Sequence, residues 1–338
     1  MTRSITVGIS TYRDYEHLEM LLQSIRWYTY QEDPEFQIIV CDDGTADIDD
    51  AMFAKTRETA EKYGAAFMYH ERNMGIPATW NHLALAHKSD IVVLLNNDLL
   101  MPPNWLRCMH DFFDMNWNAP QLGSVFWQPW QPWDKEAMRF ILPYLGHTLF
   151  MTQDQVTGQL NRGFGHPSIH SMAPGQTLFE SRQGEGHGIG RVMCPCGCCF
   201  AFKRETFEEV GPFNEKLTSF HEESDWGTRC AYYGKGAYAL PYPKPYHKHG
   251  FTFGQCPELQ ASQRMRASRR LYREIWDVPE SVSDTEYFTY VNERLMPRVV
   301  ENEWQFLSPD YSLPPVERTL AGGEYVKLPQ LVVKTHVC

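Results

Sequence analysis

Apolar runs and amphipathic segments alternate over the first hundred positions of the chain. Short apolar runs predict four strands, at residues 5–9, 36–40, 65–69 and 91–95. Between them, apolar residues recur at helical spacing and predict helices over residues 15–28, 48–63 and 78–88. Strands that alternate with helices in this way are typical of right-handed βαβ units. The pattern therefore predicts an α/β fold with a doubly wound, mostly parallel sheet.

The rest of the chain has a weaker pattern. Residues 128–192 are rich in Gly, Pro, His, Gln and Trp and predict a long loop of the kind that often forms a lid or binding surface. A strand is predicted at 198–202, followed by helices at 204–210, 222–233 and 258–275. About the last sixty residues contain many Pro and Gly and are predicted to be loosely structured. We thus expect a helical and irregular C-terminal extension.

Composition narrows the classes of protein to consider. The chain has 338 residues and a net charge of −11, which disfavours general binding to nucleic acid or to anionic membranes. No apolar stretch approaches the roughly 18 residues that a membrane span needs, and the N-terminus lacks the layout of a signal peptide. We expect a soluble, cytoplasmic protein without a transmembrane segment, whose 9 cysteines are reduced thiols.

The segment Leu94–Pro102 is the most informative part of the sequence. The fourth apolar run ends in Asn96, Asn97 and Asp98. The carboxyl ends of parallel strands form the crevice where open α/β sheets bind ligands. A carboxylate there suits Mg²⁺ or Mn²⁺, which bind one or two protein carboxylates together with substrate phosphate oxygens. The alternative is an ordinary polar turn, since Asn and Asp favour turns.

Further motifs follow in an order that resembles one enzyme family. They are Ser10-Thr11-Tyr12-Arg13, Cys41-Asp42-Asp43-Gly44-Thr45, Asn73-Met74-Gly75 with Asn81, Asn96-Asn97-Asp98, Gly211-Pro212-Phe213-Asn214-Glu215 and Glu222-Glu223-Ser224-Asp225-Trp226. Together, over roughly residues 4–254, they resemble the family 2 glycosyltransferases, which have the GT-A fold. The resemblance implies a nucleotide-sugar-binding half at 1–127, an acceptor-side half at 128–254 that carries the general base, and the extension at 255–338.

The resemblance also implies roles for individual residues. The nucleotide would be bound by Ser10, Thr11, Tyr12, Asp42, Asp43, Asn73, Gly75, Asn81 and Asn97. Asp43 would accept a hydrogen bond from an imide N–H of the base, while Asp42 would cap a turn. Asp98, with His249 or His247, would bind Mn²⁺ or Mg²⁺. Glu223 would be the general base, and Glu222 and Asp225 would hold the acceptor or the base.

The implied activity is inverting, metal-dependent transfer of a hexose from a UDP- or dTDP-type nucleotide sugar to an acceptor hydroxyl. The acceptor stays open among a glycan, a protein side chain and a modified nucleic-acid base. A non-catalytic nucleotide- or glycan-binding protein of the same fold is the alternative, because the metal motif has a single acid. A nucleotidyltransferase is disfavoured, since Ser10-Thr11-Tyr12-Arg13 is not a Gly- and Arg/Lys-rich loop.

Three other segments carry candidate chemistry. The run Cys194-Pro195-Cys196-Gly197-Cys198-Cys199 permits a zinc site, but no second ligand pair is evident, and we favour a strand of small residues. The tryptophans of residues 128–133 predict an aromatic acceptor platform or a packed loop. The arginines between 264 and 273 predict either a polyanion-binding face or a solvated helix face.

Overall fold

An eight-stranded sheet forms the centre of the protein. The computed structural model describes residues 3–27, 34–101, 105–127, 190–192, 194–240, 245–248, 256, 261–284 and 286–295. The strands are β1 (Ile5–Thr11), β2 (Phe36–Asp42), β3 (Ala66–Tyr69), β4 (Ile91–Asn96), β5 (Leu99–Leu100), β6 (Leu122–Trp127), β7 (Gly190–Val192), β8 (Cys199–Lys203), β9 (Gly236–Leu240) and β10 (Tyr246–His247). The helices are α1 (Tyr15–Trp27), α2 (Asp50–Lys62), α3 (Ile76–Leu85), α4 (Trp105–Met115), α5 (Arg204–Val210), α6 (Glu222–Tyr232), α7 (Ala261–Ile275) and α8 (Tyr287–Leu295).

The sheet has the order β3-β2-β1-β4-β8-β6-β9-β7. The pairs β1–β2, β1–β4, β2–β3 and β6–β9 are parallel, whereas β8 runs antiparallel between β4 and β6 and β7 runs antiparallel to β9. A separate antiparallel pair joins β5 to β10. The predicted mostly parallel α/β sheet is therefore confirmed, and its strands come from both sides of position 127.

The central strands are apolar because helices cover both faces of the sheet. Every residue of β1 is buried, as is nearly every residue of β2 and β4. One continuous core extends from these strands through β6, β8 and β9. The polar residues that follow the strands therefore lie at the edge of the sheet, where the apolar cover ends.

Two predicted elements differ from the structure. Helix α3 begins at Ile76, earlier than predicted, because Pro77 occupies the first helical turn, where its missing N–H costs nothing. Helix α8 lies in the segment that was predicted to be loosely structured. Its Tyr287 and Val291, four residues apart, pack with Tyr272 of α7 into a small second core. This packing stabilises the helix more than the local Pro and Gly residues disfavour it. The predicted loop covered residues 128–192; its last three residues form β7, and residues 128–189, with the predicted aromatic platform, lie outside the described residues.

Helix α6 is anchored by an aromatic cluster in the main core. The cluster consists of Trp80, Phe200, Phe202, Phe213 and Trp226, with ring centroids 5.1 Å apart for Phe202 and Trp226 and 5.2 Å apart for Trp80 and Phe200. The Trp226 Nε1 atom also donates a hydrogen bond to the carbonyl of Gly211 at 3.1 Å. This packing fixes the first turn of α6 relative to β8.

Candidate functional site

Polar residues meet at the carboxyl ends of β1, β2 and β4. In the sheet register, Ser10 lies between Cys41 on one side and Asn96 on the other. Thr11 is paired with Asp42. The predicted nucleotide residues that follow β1 and β2 and the predicted metal motif after β4 therefore share one edge, where open α/β sheets bind ligands.

The Asp98 carboxylate and the His247 imidazole lie together at this edge. The β5–β10 pairing places His247 opposite Leu99, and His247 Nε2 is 3.2 Å from Asp98 Oδ1. Both side chains are buried. A carboxylate beside an imidazole is a donor set that Mn²⁺ accepts readily and Mg²⁺ tolerates.

These two side chains would fit an ion that takes its other ligands from water or phosphate oxygens. Within the described ranges, no group of three or more His, Cys, Asp or Glu side chains could hold a metal ion by itself. The substrate would then complete the coordination, as is common for Mg²⁺ sites. His249, the other predicted ligand, lies outside the described residues.

A chain of hydrogen-bonded polar side chains holds the predicted metal motif in place. Asn97 Nδ2 donates to Asp14 Oδ2 at 3.0 Å, and Asp14 Oδ1 is 2.8 Å from His17 Nδ1. His17 Nε2 in turn lies 3.0 Å from Lys248 Nζ. Because an ammonium group can only donate, His17 accepts through Nε2 and donates through Nδ1. Asn97, which was predicted to bind the nucleotide, is thus the first member of a hydrogen-bonded chain. The chain continues through Asp14 and His17 to Lys248, the residue after His247.

The two acids after β2 have different surroundings. Asp42 is fully buried, and its Oδ1 accepts a hydrogen bond from the backbone N–H of Thr45 at 2.7 Å, as predicted for the capping acid. Its Oδ2 has no hydrogen-bond partner among the described residues. Burial raises the pKa of Asp42 to about 6, although the bond from Thr45 opposes this shift.

Asp43 organises the turn at residues 73–75. Its Oδ1 is 2.8 Å from His70 Nδ1 and from the backbone N of Met74, and its Oδ2 is 2.9 Å from Asn73 Nδ2 and from the backbone N of Gly75. An ionised carboxylate has about four acceptor sites, so the chain itself uses all of them. The predicted contact of Asp43 with the base stays a prediction, and Asn73 and Gly75 are placed beside it.

Asp43→Ala should therefore destabilise the fold by about 2–5 kcal/mol, because it leaves several buried donors without an acceptor. Equilibrium unfolding in urea would measure the change. The matched control is Asp49→Ala, which removes the acceptor of one hydrogen bond, to the backbone N of Met52 at the start of α2, and should cost about 1 kcal/mol. Equal losses for both variants would show that Asp43 is an ordinary turn residue.

Gly75 is required by both its backbone angle and its surroundings. Its φ angle is 94°, in the region that favours glycine. A Cβ at this position would lie 2.5 Å from the carbonyl oxygen of Thr218. The turn at 73–75 therefore packs directly against the segment that leads into α6.

The remaining predicted nucleotide residues also make internal contacts. Ser10, Thr11 and Tyr12 are buried; Thr11 Oγ1 donates to the carbonyl of Asp14 at 3.2 Å, and Tyr12 packs on Cys256. Asn81 lies away from the strand ends. Its side chain donates to the carbonyl of Phe213 at 3.0 Å and accepts from the same residue's N–H at 2.8 Å, so it fixes the loop before α6.

Two adjacent glutamates begin helix α6. Glu222 is buried, and its Oε2 has no hydrogen-bond partner in the described part of the chain. Burial, followed by the charge of Glu223, raises the pKa of Glu222 well above its usual range. Burial also raises the pKa of Glu223 to about 7, although the backbone N–H groups of the helix start oppose the shift. Burial thus favours the protonated form of both carboxyl groups, and a charge on one opposes ionisation of the other.

Asp225 is turned away from this pair. Its Oδ2 accepts a hydrogen bond from Arg229 Nε at 3.0 Å, and its Oδ1 accepts one from Trp276 Nε1 at 3.1 Å. Both oxygens thus bind groups that hold α6 in place. These contacts use about two of the four acceptor sites of the carboxylate, so the predicted role of Asp225 stays a prediction.

The start of α6 is strained and is held by the C-terminal helices. Phe220 and His221 have φ angles of 68° and 69°, which non-glycine residues rarely adopt. His221 Nε2 lies 2.6 Å from the Tyr287 hydroxyl of α8, and the two rings are stacked. Thr228 in α6 is likewise bonded to the Tyr272 hydroxyl of α7 at 2.8 Å. Helices α7 and α8 therefore fix the orientation of the glutamates.

The cysteine run forms a turn and the first residue of a strand. The backbone N of Cys199 bonds to the carbonyl of Cys196, and β8 begins at Cys199. The strand prediction is thus correct only from Cys199 onward.

The turn at 196–199 contacts both the end of β4 and the start of α6. The backbone N of Asn96 donates to the carbonyl of Cys198 at 2.8 Å. A Cβ on Gly197 would lie 3.3 Å from the carboxyl carbon of Glu223 and 3.2 Å from the ring of Trp80. A larger residue at 197 would press on both side chains, so glycine favours the close approach of the turn to the half-buried Glu223.

Several partners of the predicted residues belong to none of the sequence motifs. Asp14, Lys248 and His70 each contact a predicted site residue or its backbone, and His17 links Asp14 to Lys248. His17 and Lys248 are 231 positions apart, so no local spacing could connect them. Two of the arginines of α7 have an identified partner, because Arg269 and Arg273 both form ion pairs with Asp284. These contacts indicate a structural role for the two residues.

None of the described helices is both long and apolar enough to cross a membrane.

Comparison with curated proteins gives no match. The mannosyltransferase PcManGT from Pyrobaculum calidifontis, solved in complex with GDP-Man and Mn²⁺, aligns with 16% identity and a TM-score of 0.47 over 87% of this chain and 72% of that chain. S. aureus TarS 1-349 aligns with 15% identity and a TM-score of 0.46 over 88% of this chain and 83% of that chain.

The family model for glycosyl transferase family 2 matches residues 6–211, which is more than half of the chain. This match and the observed strand order, with one antiparallel strand inside a mostly parallel sheet, confirm the predicted GT-A fold. The enzyme class, a glycosyltransferase, follows from the same match. The chain therefore belongs to glycosyl transferase family 2.

Proposed function

We propose that the protein transfers a sugar, with inversion, from a UDP- or dTDP-type nucleotide sugar to an acceptor hydroxyl in a metal-dependent reaction. One observation supports this proposal above the others. The turn at 196–199 contacts Glu223 through Gly197 and the end of β4 through the carbonyl of Cys198. The proposed metal ligand Asp98, two residues after Asn96, and the proposed base Glu223 would thus lie on either side of a single turn, which suits one displacement at an anomeric carbon.

Asp98 and His247 would hold Mn²⁺ or Mg²⁺ at the carboxyl edge of the sheet. The ion, when bound, would offset the charge that gathers on the departing diphosphate. The chain's own contribution is to orient these ligands. Asp14, His17 and Lys248 hold the two strands that carry them, and Lys248 also donates its backbone N–H to the carbonyl of Asp98 at 3.0 Å. The nucleotide would lie across Ser10, Thr11 and Tyr12.

Glu223 would accept the proton of the attacking hydroxyl. A base works best when its pKa lies near the operating pH, and burial raises the pKa of Glu223 to about 7. Glu222 would keep its proton, because it is the more deeply buried of the two and faces the charge of Glu223. Two adjacent carboxyl groups whose environments separate their pKa values are typical of acid–base sites.

A panel of nucleotide sugars tests the proposal directly. A ligand that binds only the folded state raises the melting temperature by mass action. UDP- and dTDP-sugars should raise it, and Mn²⁺ should increase the effect; GDP-mannose serves as the comparison donor. If no nucleotide sugar stabilises the protein with or without the metal, the proposed donor site is wrong. If the donor is bound but never hydrolysed or transferred, the protein is a binding module.

A further inference from the structure

Two thiols in the turn at 196–199 lie close enough to react with each other. The Sγ atoms of Cys196 and Cys198 are 3.3 Å apart, and both thiols are free. The hydrogen bond from the backbone N of Cys199 to the carbonyl of Cys196 closes the turn, so that the two residues flank Gly197. Such a turn brings residues i and i+2 into the range of Cα separations that disulfides span. The proposed glycosyl transfer uses neither thiol.

The same turn contacts both the proposed base Glu223 and the end of β4. Gly197, between the two thiols, packs against the carboxyl carbon of Glu223, and the carbonyl of Cys198 accepts the hydrogen bond from Asn96. A disulfide needs a sulfur separation of about 2.05 Å, so both sulfurs would have to move together by more than 1 Å. The backbone between them is only one residue long and would move with them.

We propose that Cys196 and Cys198 are a redox modification site, in which a disulfide between them switches glycosyl transfer off. The loss of transfer rests on the proposed role of Glu223, whereas the disulfide chemistry does not. The oxidant belongs to the class of hydroperoxides. The thiolate of Cys196 attacks one peroxide oxygen, which releases water and leaves a sulfenic acid. The thiol of Cys198 then attacks that sulfur and releases a second water, so that two thiols and one H₂O₂ give one disulfide and two waters.

Exposure assigns the order of the two steps. Cys196 is 9% exposed and Cys198 is 4% exposed, so a small oxidant reaches Cys196 first. The hydrogen bond with Cys198, followed by burial, raises the pKa of Cys196, and burial raises the pKa of Cys198. The thiolate is the reactive form of both. The pair therefore stays reduced under mild conditions, and its oxidation accelerates as the pH rises. Reduction by a dithiol restores the turn.

The test compares the full-length protein with Cys198→Ser and Cys108→Ser. Cys108 in α4 is also 9% exposed, which makes it a control for the exposure of Cys196. Each protein is treated with H₂O₂ and then with a dithiol, and peptide mass spectrometry identifies any Cys196–Cys198 disulfide. Transfer by each oxidised protein is expressed relative to its own reduced form. In the parent protein and in Cys108→Ser, the disulfide should appear and transfer should fall about 10²-fold, the usual effect of a 1 Å misplacement, and reduction should restore it.

Cys198→Ser should form no such disulfide and should keep most of its transfer activity in H₂O₂. The inference is overturned if the parent protein forms no Cys196–Cys198 disulfide, or if it forms one and transfer is unchanged. Failure of the proposed function has a different signature, because the reduced protein would then lack transfer before any oxidation. In that case, the Mn²⁺-dependent thermal shift by the nucleotide replaces transfer as the readout. Oxidation should reduce the shift through the Asn96–Cys198 hydrogen bond, and an unchanged shift would overturn the switch.

Discussion

Replacing Glu223 with Gln should lower the turnover number by about 10²-fold or more, which is the usual contribution of a positioned general base. The amide keeps the size of the side chain but cannot take a proton, so donor binding should persist. Transfer must be measured with the true acceptor, because hydrolysis of the donor by water has less need of this residue. In the parent protein, the rate should increase as the pH rises through about 7, since burial raises the pKa of Glu223 to about that value and the base must be ionised. Glu223→Gln should lack this dependence.

Glu222→Gln is the matched control for this experiment. Burial raises the pKa of Glu222, so the folded chain binds its proton more tightly than the unfolded chain does. This group therefore favours folding fully below the ordinary glutamate pKa of about 4.3, and its contribution is lost as the pH rises through the raised value. Removing the ionisable group should therefore raise the free energy of unfolding at pH 8 by more than it does near pH 4, which urea unfolding at the two pH values would measure. If Glu223→Gln kept near-normal transfer and Glu222→Gln were inactive, Glu222 would be the general base and Glu223 its partner.

Asp98→Ala should weaken Mn²⁺-dependent nucleotide binding by roughly 10- to 100-fold, the loss expected for one charge-assisted ligand. Titration calorimetry with UDP, in the presence and absence of Mn²⁺, separates the metal-dependent part from the rest. Binding without the metal should change little, because the nucleotide's other contacts remain.

Asp111→Ala controls for the loss of a carboxylate beside a histidine. His110 Nδ1 lies 3.2 Å from Asp111 Oδ1 on the surface of α4, the same separation as in the Asp98–His247 pair. This variant should bind nucleotide and metal as the parent protein does. If Mn²⁺ adds nothing to nucleotide binding in the parent protein, Asp98 and His247 are a structural pair and the metal assignment is wrong.

The sequence predicted the fold well because the signal is local. Apolar runs such as residues 91–95 become strands buried on both faces, and each predicted helix of the first hundred residues is present. Local pattern failed where long-range packing decides the structure. Helix α8 forms in a Pro- and Gly-containing region because Tyr287 and Val291 pack on Tyr272.

The sequence predicted the location of the site but not the contacts of its residues. It placed Ser10, Asp42 and Asp98 at one edge, since that follows from strand ends alone. The internal contacts of Asn81 and Asp225 were not predicted, and their roles towards ligands stay predictions. Their partners are far away along the chain, at Phe213 for Asn81 and at Trp276 for Asp225, and side-chain pairing over such separations leaves no periodic signal.

The helices that support α6 lie outside the part of the chain that the family model matches. The match ends at residue 211, before Glu223, and contacts that hold α6 and the segment before it come from Ser268, Tyr272, Trp276 and Tyr287. Phe200 and Phe202, which precede residue 211, also pack on Trp226 of α6, and the proposed metal ligand His247 follows residue 211. A chimera joined near Gly211 would therefore exchange the proposed acceptor machinery together with one proposed metal ligand. Recombination in search of new acceptors should use incoming parts that keep counterparts of Trp226 and His247.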